Sequence, residues 1–246
     1  MSTVIKASNL VQGYGKTIVL KQVNLEIKKG EILALIGPSG SGKTTLINSI
    51  MGMINPQKGE VTLLDTRMPN RKILSNIGFM AQTDALYWTM TARENLAFFG
   101  IMQGVPKKQL KKRISYAAAV VNLEPSLNKQ VQYFSGGMKR RLSLAIALVA
   151  DPQILILDEP TVGIDPELRQ QIWKELHHLA SEGKTILLTT HVMNDAWEAD
   201  NLFLIRKGEA IAQGTPRTLI KKYEVQTIEE VFLKAGRLQD AHTSND

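Results

Sequence analysis

Four short apolar runs, each closed by turn residues, punctuate the chain: EILALIG (31–37), QILILDE (153–159), TILLTTH (185–191) and NLFLIRKGE (201–209). Runs without polar alternation suit strands buried on both faces, which predicts a parallel sheet covered by helices. The stretch KQVNLEIKKGE behaves differently, because Val23, Leu25 and Ile27 alternate with polar neighbours as in a half-exposed antiparallel strand. From about residue 84 to 150 the periodicity turns helical, most clearly in TARENLAFFGIMQG and PKKQLKKRISYAAAVVNL. A helical insertion between two groups of strands is therefore predicted. Its basic run, Lys107, Lys108, Lys111, Lys112 and Arg113, reads as the solvated face of one helix.

Near the end, Thr227 and Glu230 form a capping box ahead of EEVFLKAG. The polar stretch after it, RLQDAHTSND, is expected to fray. No internal repeat or low-complexity segment appears.

Composition narrows the chemistry. The 246 residues suffice for one large domain or two small ones, and a 43% hydrophobic, 22% charged content is that of a globular protein. With no cysteine there is no disulfide framework, thiolate nucleophile or cysteine metal site. The N-terminus lacks the pattern of a signal peptide. The longest nearly unbroken apolar stretch, Leu142 to Ala150, is far short of the roughly 20 residues that cross a bilayer, so a soluble chain is expected. The net charge of +7 leaves nucleic acid or an anionic membrane open as partners, but it is spread along the chain and reads more simply as a solvated basic surface.

The segment GPSGSGKTT fits G-x-x-x-x-G-K-[ST] through Gly37, Gly42, Lys43 and Thr44, between an apolar strand and the helical TLINSIMG. Chance places that pattern in roughly one per cent of chains this long, and the flanking strand and helix are the context a phosphate loop needs. The backbone of Gly37, Pro38, Ser39, Gly40, Ser41 and Gly42 would curl round phosphates, and the helix N-terminus beginning near Lys43, Thr44 and Thr45 would add partial positive charge. Lys43 would reach the β- and γ-phosphates and Thr44 would ligate Mg²⁺.

Asp158 and Glu159 end the strand in ILILDEP, where α/β sheets bind ligands. Asp158 would hold Mg²⁺ through water, and Glu159 would orient or deprotonate an attacking water. Standing alone, Asp-Glu-Pro is also an ordinary turn. The stretch YFSGGMKRR leads into an all-round apolar helix, so Ser135 is predicted as its N-cap, with Gly136 and Gly137 leaving the first amides unobstructed. Locally this reads equally as an anion site or as a capped core helix.

As a set, these segments resemble the ATP-binding subunit of an ABC transporter over essentially the whole chain. GPSGSGKT looks like the Walker A loop, FSGGM like the signature LSGGQ, and ILILDE like Walker B; GFMAQ supplies a Q-loop through Gln82, VGID a D-loop through Asp165, and TTH a switch histidine, His191. Tyr14 in GYGK matches the aromatic that stacks on adenine. The resemblance implies a P-loop NTPase (RecA-like) α/β core with an antiparallel β subdomain, 1–82 and 151–236, a helical subdomain inserted at 83–150 and a polar tail at 237–246. It implies that two subunits, a homodimer or this chain with a related one, pair head to tail around two Mg-ATP. Ser135, Gly136 and Gly137 of each would then complete the other's site. His191 would contact the γ-phosphate, and Gln82 would sense Mg²⁺ and water.

Two departures stand out: Met138 replaces the usual glutamine of the signature, and VGID lacks the serine of the commoner SALD. The wording SGGMKRR and PTVGIDP resembles the bacterial branch whose ATPases serve separate permeases exporting drugs, antibiotics or lipid-like molecules. That implies a peripheral ATPase at the cytoplasmic face of the membrane, docked to an integral-membrane permease near Leu86, Tyr87 and Trp88, with no nucleic-acid partner. An importer subunit, or a non-transport ATPase acting on nucleic acid or ribosomes, is the alternative. His177, His178 and His242 read as structural residues.

Overall fold

The computed structural model describes residues 2–83 and 85–243. They fall into two units, the first taking the described residues up to Arg71 and from Thr189 onward, the second Lys72–Leu188.

In the first unit β1 (Thr3–Tyr14) pairs antiparallel with β2 (Thr17–Lys28) and, on its other side, with β4 (Lys58–Leu63), which continues into β5 (Thr66–Arg67). Val23, Leu25 and Ile27 of β2 are buried and their neighbours exposed, the alternation read from the sequence. A second set of strands begins with β3 (Ile32–Ile36), every residue of which is buried. It runs parallel to β9 (Asn201–Arg206), with Ile36 opposite Leu204, and β9 turns back into antiparallel β10 (Glu209–Gly214). Helix α1 (Lys43–Ile50) follows β3 through the glycine-rich loop.

The second unit contains β6 (Ile77–Met80), parallel to β7 (Ile154–Asp158) with Met80 opposite Leu157. Between them come α2 (Ala92–Met102), α3 (Lys107–Val120) and α4 (Gly136–Val149). Thr91 caps α2 in a box with Glu94. Residues Leu142 to Val149 of α4 are all buried, which follows from an apolar helix surface with no polar stripe. After β7 comes α5 (Pro166–Ser181), and β8 (Thr185–Thr190) then carries the chain back into the first unit. There it forms α6 (Met193–Glu198), α7 (Pro216–Tyr223) and α8 (Ile228–Thr243). No helix of the described residues is long and apolar enough to cross a membrane.

Two expectations are corrected. Lys107, Lys108, Lys111 and Lys112 are exposed, but Arg113 turns inward: its Nε donates to Val149 O at 3.0 Å and its Nη2 to Leu148 O at 2.8 Å. It adds donors to carbonyls in the last turn of α4, where the helix's own donors run out; Leu148 O also accepts from Asp151 N at 3.2 Å. Residues 237–243 do not fray but extend α8. Asp240 accepts both terminal nitrogens of Arg206 at 2.9 Å and Lys207 Nζ at 2.8 Å, and Gln239 donates to Glu209 at 2.9 Å. The capping box of Thr227 and Glu230 is present, each backbone amide donating to the other's side chain. His177 lies against Trp173 with ring centroids 5.8 Å apart, and His178 faces Glu182 at 3.7 Å. The side chain of His242 and residues 244–246 lie outside the described residues.

Candidate functional site

The phosphate loop leaves β3 at Gly37, where no side chain fits: a Cβ there would stand 2.3 Å from Ile205 O and 2.6 Å from Ser41 Oγ. Pro38, Ser39 and Gly40 are exposed, and Gly42, at φ 107°, caps α1 in a left-handed conformation open to glycine. Lys43 Nζ donates to Gly37 O at 2.6 Å and Pro38 O at 3.1 Å, so its ammonium lies within the curl of the loop. Thr44 is exposed in the first turn of α1, and Thr45 is buried.

The loop is braced from outside. Gly208, in the β9–β10 turn, donates its N–H to Ser41 O at 3.0 Å and accepts from Lys21 N at 2.8 Å. That turn is held by the Asp240 clasp of α8 through Arg206 and Lys207. The paired cations hold the Asp240 carboxyl well below its usual range, at about 2.

Ser41 Oγ is buried and has no hydrogen-bond partner among the described residues. A buried hydroxyl left unsatisfied is costly, and a phosphate oxygen or a metal-bound water is the partner such a loop is built to receive. In the first unit the exposed Thr44 hydroxyl, and in the second the buried Asp158 carboxylate, are oxygen donors of the class that holds Mg²⁺. The residues present thus fit Mg-ATP.

Also in the first unit, Tyr14 ends β1 half-exposed, its ring open to a flat partner. His191 is exposed directly after β8. The turn that carries it is fixed by Thr190, whose Oγ1 donates to Asp195 at 3.0 Å and accepts from Val192 N at 2.9 Å.

The second unit gathers the remaining positions. Asp158 is buried at the end of β7. Glu159 follows at φ 55°, a left-handed conformation unfavourable for a residue with a Cβ. Gln82 is exposed just beyond β6. Ser135 caps α4 as the sequence predicts, its Oγ accepting from Met138 N at 3.3 Å. Gln82, Glu159, Gly136 and Gly137 line one cavity of about 240 Å³, together with Arg140 and Gly163. The structure therefore brings a glutamine, a carboxylate and the open N-terminus of a 14-residue helix onto one space. Asp165 does not line that cavity: it caps α5, its carboxylate accepting from Leu168 N at 2.9 Å.

Arg140 is the residue sequence reading missed. It is visible in SGGMKRR, one turn after Gly136, but nothing local shows where its guanidinium goes. It donates to the carbonyls of Ala81, Gln82, Asp158 and Glu159. Ser41's orphaned hydroxyl and the Asp240 clasp likewise had no local signal.

Comparison with known proteins agrees with this geometry. The family described as ABC transporter matches residues 20–162. ABC transporter G family member 20 of Dictyostelium discoideum is 42% identical over 98% of this chain, which spans 33% of that relative. The Nod factor export ATP-binding protein I of Sinorhizobium fredii is 42% identical over 88% of this chain and 64% of its own length. The protein of the same name from Rhizobium johnstonii is 41% identical, with 89% and 71% covered. The chain thus spans a third to about two thirds of the first of these relatives. Among solved structures, an ATP-binding subunit of an ABC transporter superposes with a TM-score of 0.89 at 26% identity, covering 95% of this chain and all of that one. A dimeric ATP-binding cassette in a post-hydrolysis state, bound to ADP and Pi, superposes at 0.78 with 30% identity, covering 86% of this chain and 98% of its own. With a phosphate loop built for nucleotide, a carboxylate closing the strand of a P-loop α/β fold and this match over most of its length, the chain belongs to the ABC transporter family and is an ABC-type ATPase.

Proposed function

We propose that the chain is the ATP-binding subunit of an exporter, closing as a dimer around two Mg-ATP and driving a separate integral-membrane permease from the cytoplasmic face of the membrane. The observation that carries export is the 41–42% identity to proteins named for Nod factor export. The cargo in this reading is a drug, an antibiotic or a lipid-like molecule.

Lys43 and the loop amides would hold the β- and γ-phosphates, Thr44 and Asp158 the Mg²⁺, and Tyr14 the adenine face. The metal, when bound, neutralises charge on the phosphates. Glu159 orients and deprotonates the attacking water, while His191 and Gln82 position it. Each α4 N-terminus, through Ser135, Gly136 and Gly137, completes the partner's site with amides directed at phosphate. Asp165 caps α5, and in the closed dimer its carboxylate would set the backbone of the loop that meets the partner. The permease docks on the aromatic cluster that opens the helical insertion, beside Leu86. Tyr87 and Trp88 are exposed, Tyr87 packing edge-on against Phe98 at 4.8 Å and Trp88 under Lys139 Nζ at 4.3 Å.

The test is ATP hydrolysis by the purified chain across a range of protein concentrations, with Glu159→Gln and Ser135→Arg alongside. A specific rate that rises with concentration and falls in both variants supports the composite site. A rate independent of concentration and untouched by Ser135→Arg removes it, and normal hydrolysis by Glu159→Gln removes the base.

A further inference from the structure

Strands β6 and β7 run side by side, Met80 opposite Leu157 being the last pair of their ladder. The next residues on each, Ala81 and Gln82 on one, Asp158 and Glu159 on the other, bring four carbonyls to the place where the ladder ends. One guanidinium takes all four. Arg140 Nη1 donates to Ala81 O and Gln82 O, each at 3.0 Å, and Nη2 donates to Asp158 O and, at 3.0 Å, to Glu159 O. Each terminal nitrogen thus donates to two carbonyl oxygens, a pattern that suits the planar fork of arginine.

Glu159 needs such a hold. Its left-handed backbone is costly for a residue with a Cβ, and such conformations persist where the surroundings over-determine them. Arg140 also stands four residues after Gly136, so the two share one face of α4, the face that lines the cavity with Gln82 and Glu159.

We propose that Arg140 is a positioning residue for hydrolysis: its fork fixes the backbones of Glu159 and Gln82 against each other and ties both to the N-terminal turn of α4, so that a contact made at Gly136 and Gly137 is felt at the base of the same chain. This rests on the reading of Glu159 as general base. Arg140 touches no reacting atom. It acts by setting where the carboxylate and the amide stand, and misplacing reacting groups by about 1 Å costs on the order of 100-fold in rate.

The experiment compares Arg140→Lys, Arg140→Ala, Arg141→Gln and Glu159→Gln in the full chain, measuring kcat, KM for ATP, fluorescent-nucleotide affinity and thermal melting. Arg141 is the matched control, because it too donates to two carbonyls, Val121 O at 3.1 Å and Asn122 O at 3.2 Å, but away from the base. Both Arg140 variants should bind nucleotide within about 2-fold of the parent and lose roughly 10- to 100-fold in kcat. Arg141→Gln should keep kcat. Millimolar guanidinium should restore part of the rate to Arg140→Ala and none to Glu159→Gln. A parental kcat in Arg140→Lys overturns the proposal, since charge without the fork would then suffice. So does an equal kcat loss in Arg141→Gln, which would mark a general effect of weakening α4. If Glu159→Gln is inactive while the Arg140 variants are fully active, this inference alone fails. If Glu159→Gln hydrolyses normally, the base assignment fails and this inference with it.

Discussion

Replacing Gly37 by alanine tests whether the phosphate loop is shaped by contact with β9. The added methyl would stand 2.3 Å from Ile205 O, against about 3.3 Å for even a favourable C–H···O contact, so something must move by about 1 Å. Ile205 is held in the sheet, paired with Ala210 of β10, and its neighbour Leu204 is paired with Ile36 of β3. The loop must therefore yield, and with it the curl that holds Lys43 at Gly37 O. Overpacking of this kind costs about 1–3 kcal/mol. If the cost falls on the nucleotide-competent loop, ATP affinity drops by roughly 5- to 150-fold, and melting falls by about 2–4 °C per kcal/mol. Gly104→Ala separates the two readouts. Its position has φ +88° with nothing within 4 Å of a Cβ, so alanine there strains only the backbone, by about 1–2 kcal/mol. Fluorescent-nucleotide titration and a melting curve on both variants decide the matter. Gly37→Ala should lose affinity and Gly104→Ala only stability; parental affinity in Gly37→Ala, or equal losses in both, refutes the reasoning.

Two further outcomes follow from the corrected elements. Arg113→Met should lower the denaturant midpoint by an amount equivalent to about 1–2 kcal/mol, because it removes two hydrogen bonds to the last carbonyls of α4, of which Leu148 O keeps Asp151 N as a donor at 3.2 Å, whereas exposed Lys112→Met should stay within about 0.5 kcal/mol. Equal effects would return Arg113 to the solvated face. Asp240 has a folded-state pKa depressed from 3.8 to about 2 by Arg206 and Lys207. A depressed carboxylate contributes stability above its unfolded pKa and loses it as pH falls through the folded one. The melting difference between parent and Asp240→Asn should therefore be full at pH 5 and shrink between about pH 4 and pH 2. A difference unchanged across that window removes the clasp.

Much of this protein is written locally. The buried strands β3, β7 and β8 were legible because a run of three to five apolar residues has no face to give to water. The same holds for Ser135 on α4 and for Thr227 with Glu230 on α8, since a cap and its helix lie within four residues. The phosphate loop was legible for the same reason: Gly37, Gly42 and Lys43 act through the backbone of a single turn. Strand β6 and the short strands β4 and β5 carried too few apolar residues to declare themselves.

What the sequence could not determine is every contact between residues far apart along the chain. Gln82 and Glu159 meet at one cavity because β6 and β7 pair in parallel with Met80 at Leu157, a register no local pattern encodes. Arg113 and Lys112 are neighbours with opposite fates, because only the docking of α3 on α4 decides which side chain finds carbonyls and which finds water. The same is true of Arg206 with Asp240 and of Arg140 with its four carbonyls. A long cationic side chain is chemically indifferent among surface water, a carboxylate and an orphan carbonyl. The sequence by itself determined which chemistries the chain carries; the tertiary structure, by placing the acceptors, decided where each is used.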